Sequence, residues 1–291
     1  MSSVVSGAYS SLGIGPRAAL QANNIPVIAD LPGVGQNLQD PVSINAVNFI
    51  NTPNGASIVF DPAREPEARR QYEEEAAGPY SSAAGYISYE RIPQGLRQTL
   101  SLRTRTKLAT YGSEWPELQY IVGTFLAPNG SSMGAMSTTI TTAFSRGSVT
   151  ISSASMSDPP VIDLGWFTDP ADGEMLTAGL KRLREAWNTT TARSIRLGTE
   201  DFLPPADITS DADILNYLKA NANQIWHASS TCAMGKLGDR QAVVDSRARV
   251  FGVDNLRVVD ISIIPFSLPG HPQASVYMIA EKIVDDIRRR G

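Results

Sequence analysis

The middle of the chain constrains the fold most. Residues 118–126, 137–144 and 147–151 are rich in Ile, Val, Thr, Tyr and Phe, and glycine or proline punctuates their ends. Strand-like segments joined by so few residues favour an antiparallel sheet over a parallel one, because a parallel pair needs a long crossover between its members. Residues 43–60 alternate weakly, as a half-buried strand pair broken at Pro53-Asn54-Gly55 would.

Two helices follow, and each is marked by its cap. Asp169 is positioned as an N-cap, with Pro170 at the first helical position and Asp172 close behind, and Leu176, Leu180, Leu183 and Trp187 recur at helical spacing as a buried stripe. Ser210 with Asp213 forms a second capping pattern ahead of Ile214, Leu215 and Leu218. A last helix is predicted after Pro272, with Val276, Ile279, Ala280, Ile283, Val284 and Ile287 on one apolar face. Residues 61–77 carry many charges and no apolar stripe, so they read as a solvated helix or flap.

The remaining segments are short and turn-rich. Val4-Val5 begins a strand-like piece, Gly13 to Pro16 forms a turn, and residues 17–22 suit a short helix. Residues 25–29 suit a short strand. In the following DLPGVGQNLQD, residues 30–40, Gly33 and Gly35 resemble part of a dinucleotide fingerprint, but Leu38 stands where its third glycine belongs. Taken alone, this segment reads as an ordered connecting loop. Residues 81–89, SSAAGYISY, are small and aromatic and suit either a pocket wall or plain packing.

Composition excludes several function classes. A net charge of −4 gives no electrostatic reason for a nucleic-acid partner. One cysteine, Cys232, cannot form an intrachain disulfide, and one Cys with two His makes a thiolate or multi-histidine metal site improbable, so no metal is expected. No segment has the length and apolarity of a membrane span, and the expectation is a chain without a membrane partner, located in the cytoplasm.

Those two histidines, His227 in IWHASSTCAM and His271 in LPGHPQAS, are the natural candidates for proton transfer near neutral pH. The bland alternative is that each is a core histidine satisfied by a neighbour. Cys232 and Met234 read as core residues, since nothing adjacent in sequence would activate the thiol.

Six segments in order, GIGPRAAL, DLPGVGQNLQD, SRGSVTISS, WHASSTCAMG, AVVDSRARVFGVDNLRVVDISIIP and HPQASVYMIAEK, resemble the glucose-methanol-choline family of flavin oxidoreductases. The resemblance covers the second half of that family's usual chain, without its glycine-rich grip on the FAD pyrophosphate. Pro41 follows NLQD where the family commonly shows His. The resemblance implies an α+β fold: an antiparallel-sheet substrate domain with helices over residues 43–223, plus remnants of an α/β flavin-binding domain over residues 1–42 and 224–291. It implies that His227 takes the hydroxyl proton of an alcohol while hydride leaves for the flavin, and that His271 holds the same oxygen. It places Asp260, Ser262, Pro272, Gln273 and Ala274 beside FAD.

Three functions stay open on the sequence. The chain is the substrate-binding and catalytic-base half of an alcohol oxidase or dehydrogenase, acting on a small molecule and either completed by a separate flavin domain or excerpted from a longer chain. Alternatively it works without flavin, using its histidines for cyclisation, dehydration or isomerisation. The third reading is a non-catalytic binding remnant, whose exposed apolar faces a homodimer would cover.

Overall fold

The computed structural model describes residues 10–52, 55–81, 85–199 and 201–290. Contacts divide the chain into two units: Met1–Val42 with Thr141–Asp172 and Gln224–Gly291, and Ser43–Ile140 with Gly173–Asn223. Thr141–Asp172 thus lies with the first unit, not with the central segment to which the expected boundaries assigned it. The reason is local: Leu38 and Gly147 exchange backbone hydrogen bonds of 2.9 and 2.8 Å, and the Val149 amide donates to Gly35 O at 2.7 Å.

The second unit is built on the antiparallel sheet that the strand-rich middle predicts. With β1 (Ile14–Gly15) and β2 (Ala29–Asp30) forming a small parallel pair in the first unit, the sheet strands are β3 (Val42–Phe49), β4 (Tyr86–Glu90), β5 (Leu118–Leu126) and β6 (Ser132–Ile140). The two-residue β9 (Asn223–Gln224) completes the order β4-β5-β6-β3-β9. The β5–β6 hairpin runs in register from Leu118↔Ile140 to Leu126↔Ser132, and β3 pairs β6 from Ser43↔Thr139 to Phe49↔Met133.

Two strand expectations change. The strand expected over 137–144 starts earlier, at Ser132, and stops at Ile140. The hairpin expected within 43–60 does not form: β3 finds its partner in the distant β6, and Gly55–Val59 is helical. A non-local pairing that covers β3 on both sides outcompetes a local hairpin. Pro53 and Asn54, where the break was expected, lie outside the described residues, as do Val4-Val5 and the centre of residues 81–89.

One long helix, Pro170–Trp187, lays its leucine stripe on this sheet. Leu176, Leu180, Leu183 and Trp187 are all buried, as the spacing predicts. The Trp187 indole N–H donates to Ala46 O at 3.2 Å, so the ring is both packed and satisfied. Gly179 permits the close approach: a Cβ there would lie 2.7 Å from Thr138 Oγ1. The predicted caps form, with Asp169 Oδ1 accepting from the Ala171 amide at 3.0 Å and Ser210 Oγ from the Asp213 amide at 3.1 Å. The charged run contains an exposed helix, Glu65–Glu75, braced by Arg70 on Glu67, Glu74 and Glu75.

In the first unit β7 (Ser148–Thr150) and β8 (Val161–Asp163) form an antiparallel pair. A core cluster gathers Ile14, Val34, Cys232, Val243, Val244, Val250, Val258, Ile263 and Ile283. Gly33 is required here, because a Cβ would meet the carbonyl of Gln241. The last helix, Gln273–Arg290, differs from expectation: of its predicted apolar face Ile283 is buried, whereas Val284 and Ile287 are each 42% exposed. The core cluster reaches the helix along Ile279 and Ile283 alone, a stripe narrower than the sequence pattern. No helix among the described residues is long and apolar enough to cross a membrane.

Trp187→Ala is expected to destabilise by about 3–5 kcal/mol through the cavity it leaves and the loss of its hydrogen bond to Ala46 O. Gly33→Ala is expected to cost about 1–3 kcal/mol by overpacking against a backbone that cannot rotate away. Denaturant midpoints at constant slope measure both.

Candidate active site

Three segments of the first unit converge: residues 37–40, residues 226–234 and residues 260–272. None is regular structure over its length, so individual backbone and side-chain hydrogen bonds hold them. Residues 232–234 run against the turn Ile261–Ile263, with the Cys232 amide donating to Ser262 O at 2.9 Å and the Met234 amide to Ile263 O at 2.8 Å. Residue 229 pairs with residue 39 through two backbone hydrogen bonds, Gln39 N to Ser229 O at 3.2 Å and Ser229 N to Gln39 O at 2.9 Å.

This arrangement brings the two histidines together. The His227 and His271 rings stand edge to face, with centroids 4.8 Å apart and planes at 86°. His271 is exposed and His227 half-buried. His227 Nδ1 is buried without a hydrogen-bond partner among the described residues. Burial, and secondarily the nearby His271, lower the His227 pKa from 6.5 to about 4.

The buried acid beside His227 is Asp40, whose Oδ1 accepts from the His227 backbone amide at 3.1 Å. Burial raises its pKa, and the amide hydrogen bond opposes that rise. The Asp40 carbonyl in turn accepts from the Trp166 indole at 2.8 Å. Immediately before His227, Trp226 has φ 66°, a left-handed conformation that a bulky residue adopts only under constraint.

The remaining sequence candidates divide. Pro272 lines the same small cavity as His227, together with Ile261, Ile264, Ser267, Leu268 and Gly270. Gln273 and Ala274 follow it as exposed residues in the first turn of the last helix. The first intrahelical hydrogen bond is Val276 N to Pro272 O at 3.0 Å, so the amides of Gln273 and Ala274 precede the helix's own acceptors. Asp260 caps the Ile261–Ile263 turn, its Oδ1 accepting from the Ser262 amide at 2.7 Å. Ser262 is wholly buried, and its Oγ has no partner among the described residues.

Sequence reasoning passed over residues 37–40 as a connecting loop. Asn37 Nδ2 donates to Pro265 O at 3.1 Å, and Gln39 Oε1 accepts from the Ser267 amide at 2.9 Å. The available signal was the polar triplet Asn37, Gln39 and Asp40 around a single apolar Leu38. Polar side chains concentrated directly after a glycine turn have backbone partners to find.

Comparison with known proteins places these segments. Residues 143–280 match the C-terminal region of GMC oxidoreductase. Patulin synthase of Penicillium expansum is 42% identical over 288 residues, 94% of this chain and 46% of its own length. An FAD-dependent oxidoreductase from Chaetomium thermophilum superposes with a TM-score of 0.79 at 29% identity, over 97% of this chain and 52% of that one. A fungal aryl-alcohol oxidase gives 0.75 at 28% identity, over 96% and 53%. The chain spans about half the length of these relatives. Residues 143–280 are thus the C-terminal domain of a glucose-methanol-choline oxidoreductase, and similarity to oxidoreductases of that family extends over 94% of the chain.

Proposed function

We propose that this chain supplies the proton-accepting side of an FAD-dependent oxidation of a small-molecule alcohol to a carbonyl compound. The observation that carries the reading is the His227–His271 contact at 4.8 Å, with His227 held neutral down to about pH 4. A neutral imidazole accepts a proton; an imidazolium cannot. His227 takes the hydroxyl proton of the alcohol, and His271 holds the same oxygen by hydrogen bonding, so that the electron pair left on oxygen forms the carbonyl as the carbon loses hydride. Bound FAD supplies the acceptor for that hydride.

The residues present suit the ring end of a flavin. The last helix begins at Gln273 and Ala274 with exposed backbone donors and the positive end of an 18-residue dipole, a setting favourable to an electron-rich edge. The orphaned Ser262 Oγ, behind the turn that Asp260 caps, is a further polar group without a partner among the described residues. Resemblance to an FAD-dependent oxidoreductase and to an aryl-alcohol oxidase supports both the cofactor and the substrate class.

Visible absorption of the purified protein titrated with FAD tests cofactor binding, and anaerobic bleaching by a benzylic alcohol tests the chemistry. His227→Ala is expected to slow flavin reduction by about 10²–10⁴-fold. Turnover that proceeds without flavin yet needs both histidines would replace this reading with non-redox acid–base chemistry.

The lowered pKa also makes a prediction about stability. Between pH 6.5 and about pH 4 the unfolded chain binds a proton at His227 that the folded chain refuses. Stability from this group is therefore retained above pH 6.5, falls as the pH drops, and levels off below about 4. Asp40 shifts upward and works in the opposite sense, so the difference between the native protein and His227→Gln is the informative quantity. That difference is expected to move in favour of the variant as pH falls across this window, measured by urea unfolding at stepped pH.

A further inference from the structure

We infer that Gln39 is a positioning residue of the histidine pair, tied by its backbone to the His227 segment and by its side chain to the His271 segment. Its importance for catalysis rests on the function proposed above; its structural role does not.

Gln39 is 3% exposed. Through its backbone it makes the two-way pair with Ser229, two residues beyond His227. Through its side chain it reaches the other arm: Oε1 accepts from the Ser267 amide at 2.9 Å, and Nε2 donates to Pro265 O at 3.4 Å and to Asn37 Oδ1 at 3.1 Å. Both amide protons and the carbonyl are thus engaged, and all three partners fix which way the amide faces. Turned over, its NH₂ would confront the Ser267 N–H, donor against donor.

Asn37 reinforces the same link. With φ 62° it turns its side chain toward Pro265 O at 3.1 Å and Ser230 O at 3.5 Å, again touching both arms. The Ser229 hydroxyl adds a third tie to Gln39 O at 3.2 Å. His271 follows Ser267 by four residues and carries no regular structure until the helix begins at Gln273. Beyond the backbone ties of Cys232 and Met234 to residues 262 and 263, the grip on residues 265–267 is the link nearest His271, and Gln39 is its buried centre. A buried side chain with every donor and acceptor used is also intolerant of replacement, because an apolar substitute would leave the Ser267 amide without the acceptor that Gln39 Oε1 provides.

The test exploits the presence of only two histidines in the chain. In protein labelled at histidine, NMR gives two ring signals, and rings at this separation give a cross-ring nuclear Overhauser effect. In Gln39→Leu the cross-ring effect is expected to weaken or vanish and the His227 titration midpoint to rise toward its ordinary value. Gln39→Glu, studied at acid pH where the carboxyl is protonated and again offers donor and acceptor, is expected to restore the ring contact. In FAD-loaded protein Gln39→Leu is expected to lower kcat by about 10–100-fold while changing KM little, the mark of misplaced rather than missing groups.

An unchanged cross-ring effect and midpoint in folded Gln39→Leu would overturn the proposal. If that variant does not fold, Asn37→Ala carries the test: a weakened ring contact supports the linkage, and an unaltered one refutes it. Because the ring signals are read without substrate or flavin, they can fail while the oxidoreductase reading survives, or the reverse.

Discussion

The two-way backbone hydrogen bond between Gln39 and Ser229 is the contact on which the candidate site depends. It joins residues from the two ends of the first unit, at 3.2 and 2.9 Å, where neither segment belongs to a helix or an extended sheet. Around it the chain has few regular elements, with two-residue strands at Ile14–Gly15 and Ala29–Asp30 and isolated bridges such as Val244↔Val250. In such a region long ladders of backbone bonds are absent, and order comes from buried polar side chains that reach backbone groups. Buried Gln39 and Asp40 do this, with half-buried Asn37 beside them, which explains how one short stretch can bear on where two distant histidines stand.

Burial decides the electrostatics of that crossing. An ion pair between Asp40 and the His227 ring would lower the acid's pKa and raise the base's. The directions are the opposite, Asp40 raised and His227 lowered, and burial is the first cause of each. Geometry explains why: the carboxylate meets the backbone amide of His227 at 3.1 Å, so it orients the residue without charging its ring. A neighbouring imidazole adds a like-charge penalty to protonation. The site therefore favours a neutral base at neutral pH, the form in which proton acceptance is available.

Much of the fold was legible because its signals are local. The leucine stripe from Leu176 to Trp187 and the caps at Asp169 and Ser210 depend on spacing within one helix, and the antiparallel sheet on short connections between strand-like runs. What was not legible depends on distant partners. The second strand expected within residues 43–60 lost to the β3–β6 pairing, and the strand expected from 137 starts at Ser132 because Leu126 across the hairpin sets the register. At the candidate site, chemistry and family resemblance singled out both histidines, whereas residues 37–40, although inside the DLPGVGQNLQD segment, received no role of their own. Their role exists only in contacts with residues 229–230 and 265–267, which no window of sequence contains.

Part of the fold's backbone and desolvation cost falls in the same place. Asn37, Trp226 and Ser230 all have φ between 62° and 74°, a region that non-glycine residues enter at some energetic expense. His227 Nδ1 and Ser262 Oγ are buried without partners among the described residues, which adds a desolvation penalty to each. A sequence selected for stability alone would place glycine or asparagine at Trp226 and an apolar side chain at Ser262. Retaining strain and unsatisfied polar atoms within one small crossing is the pattern expected where a constellation is held for chemistry and the surrounding core, from Val34 to Ile283, supplies the stability to hold it.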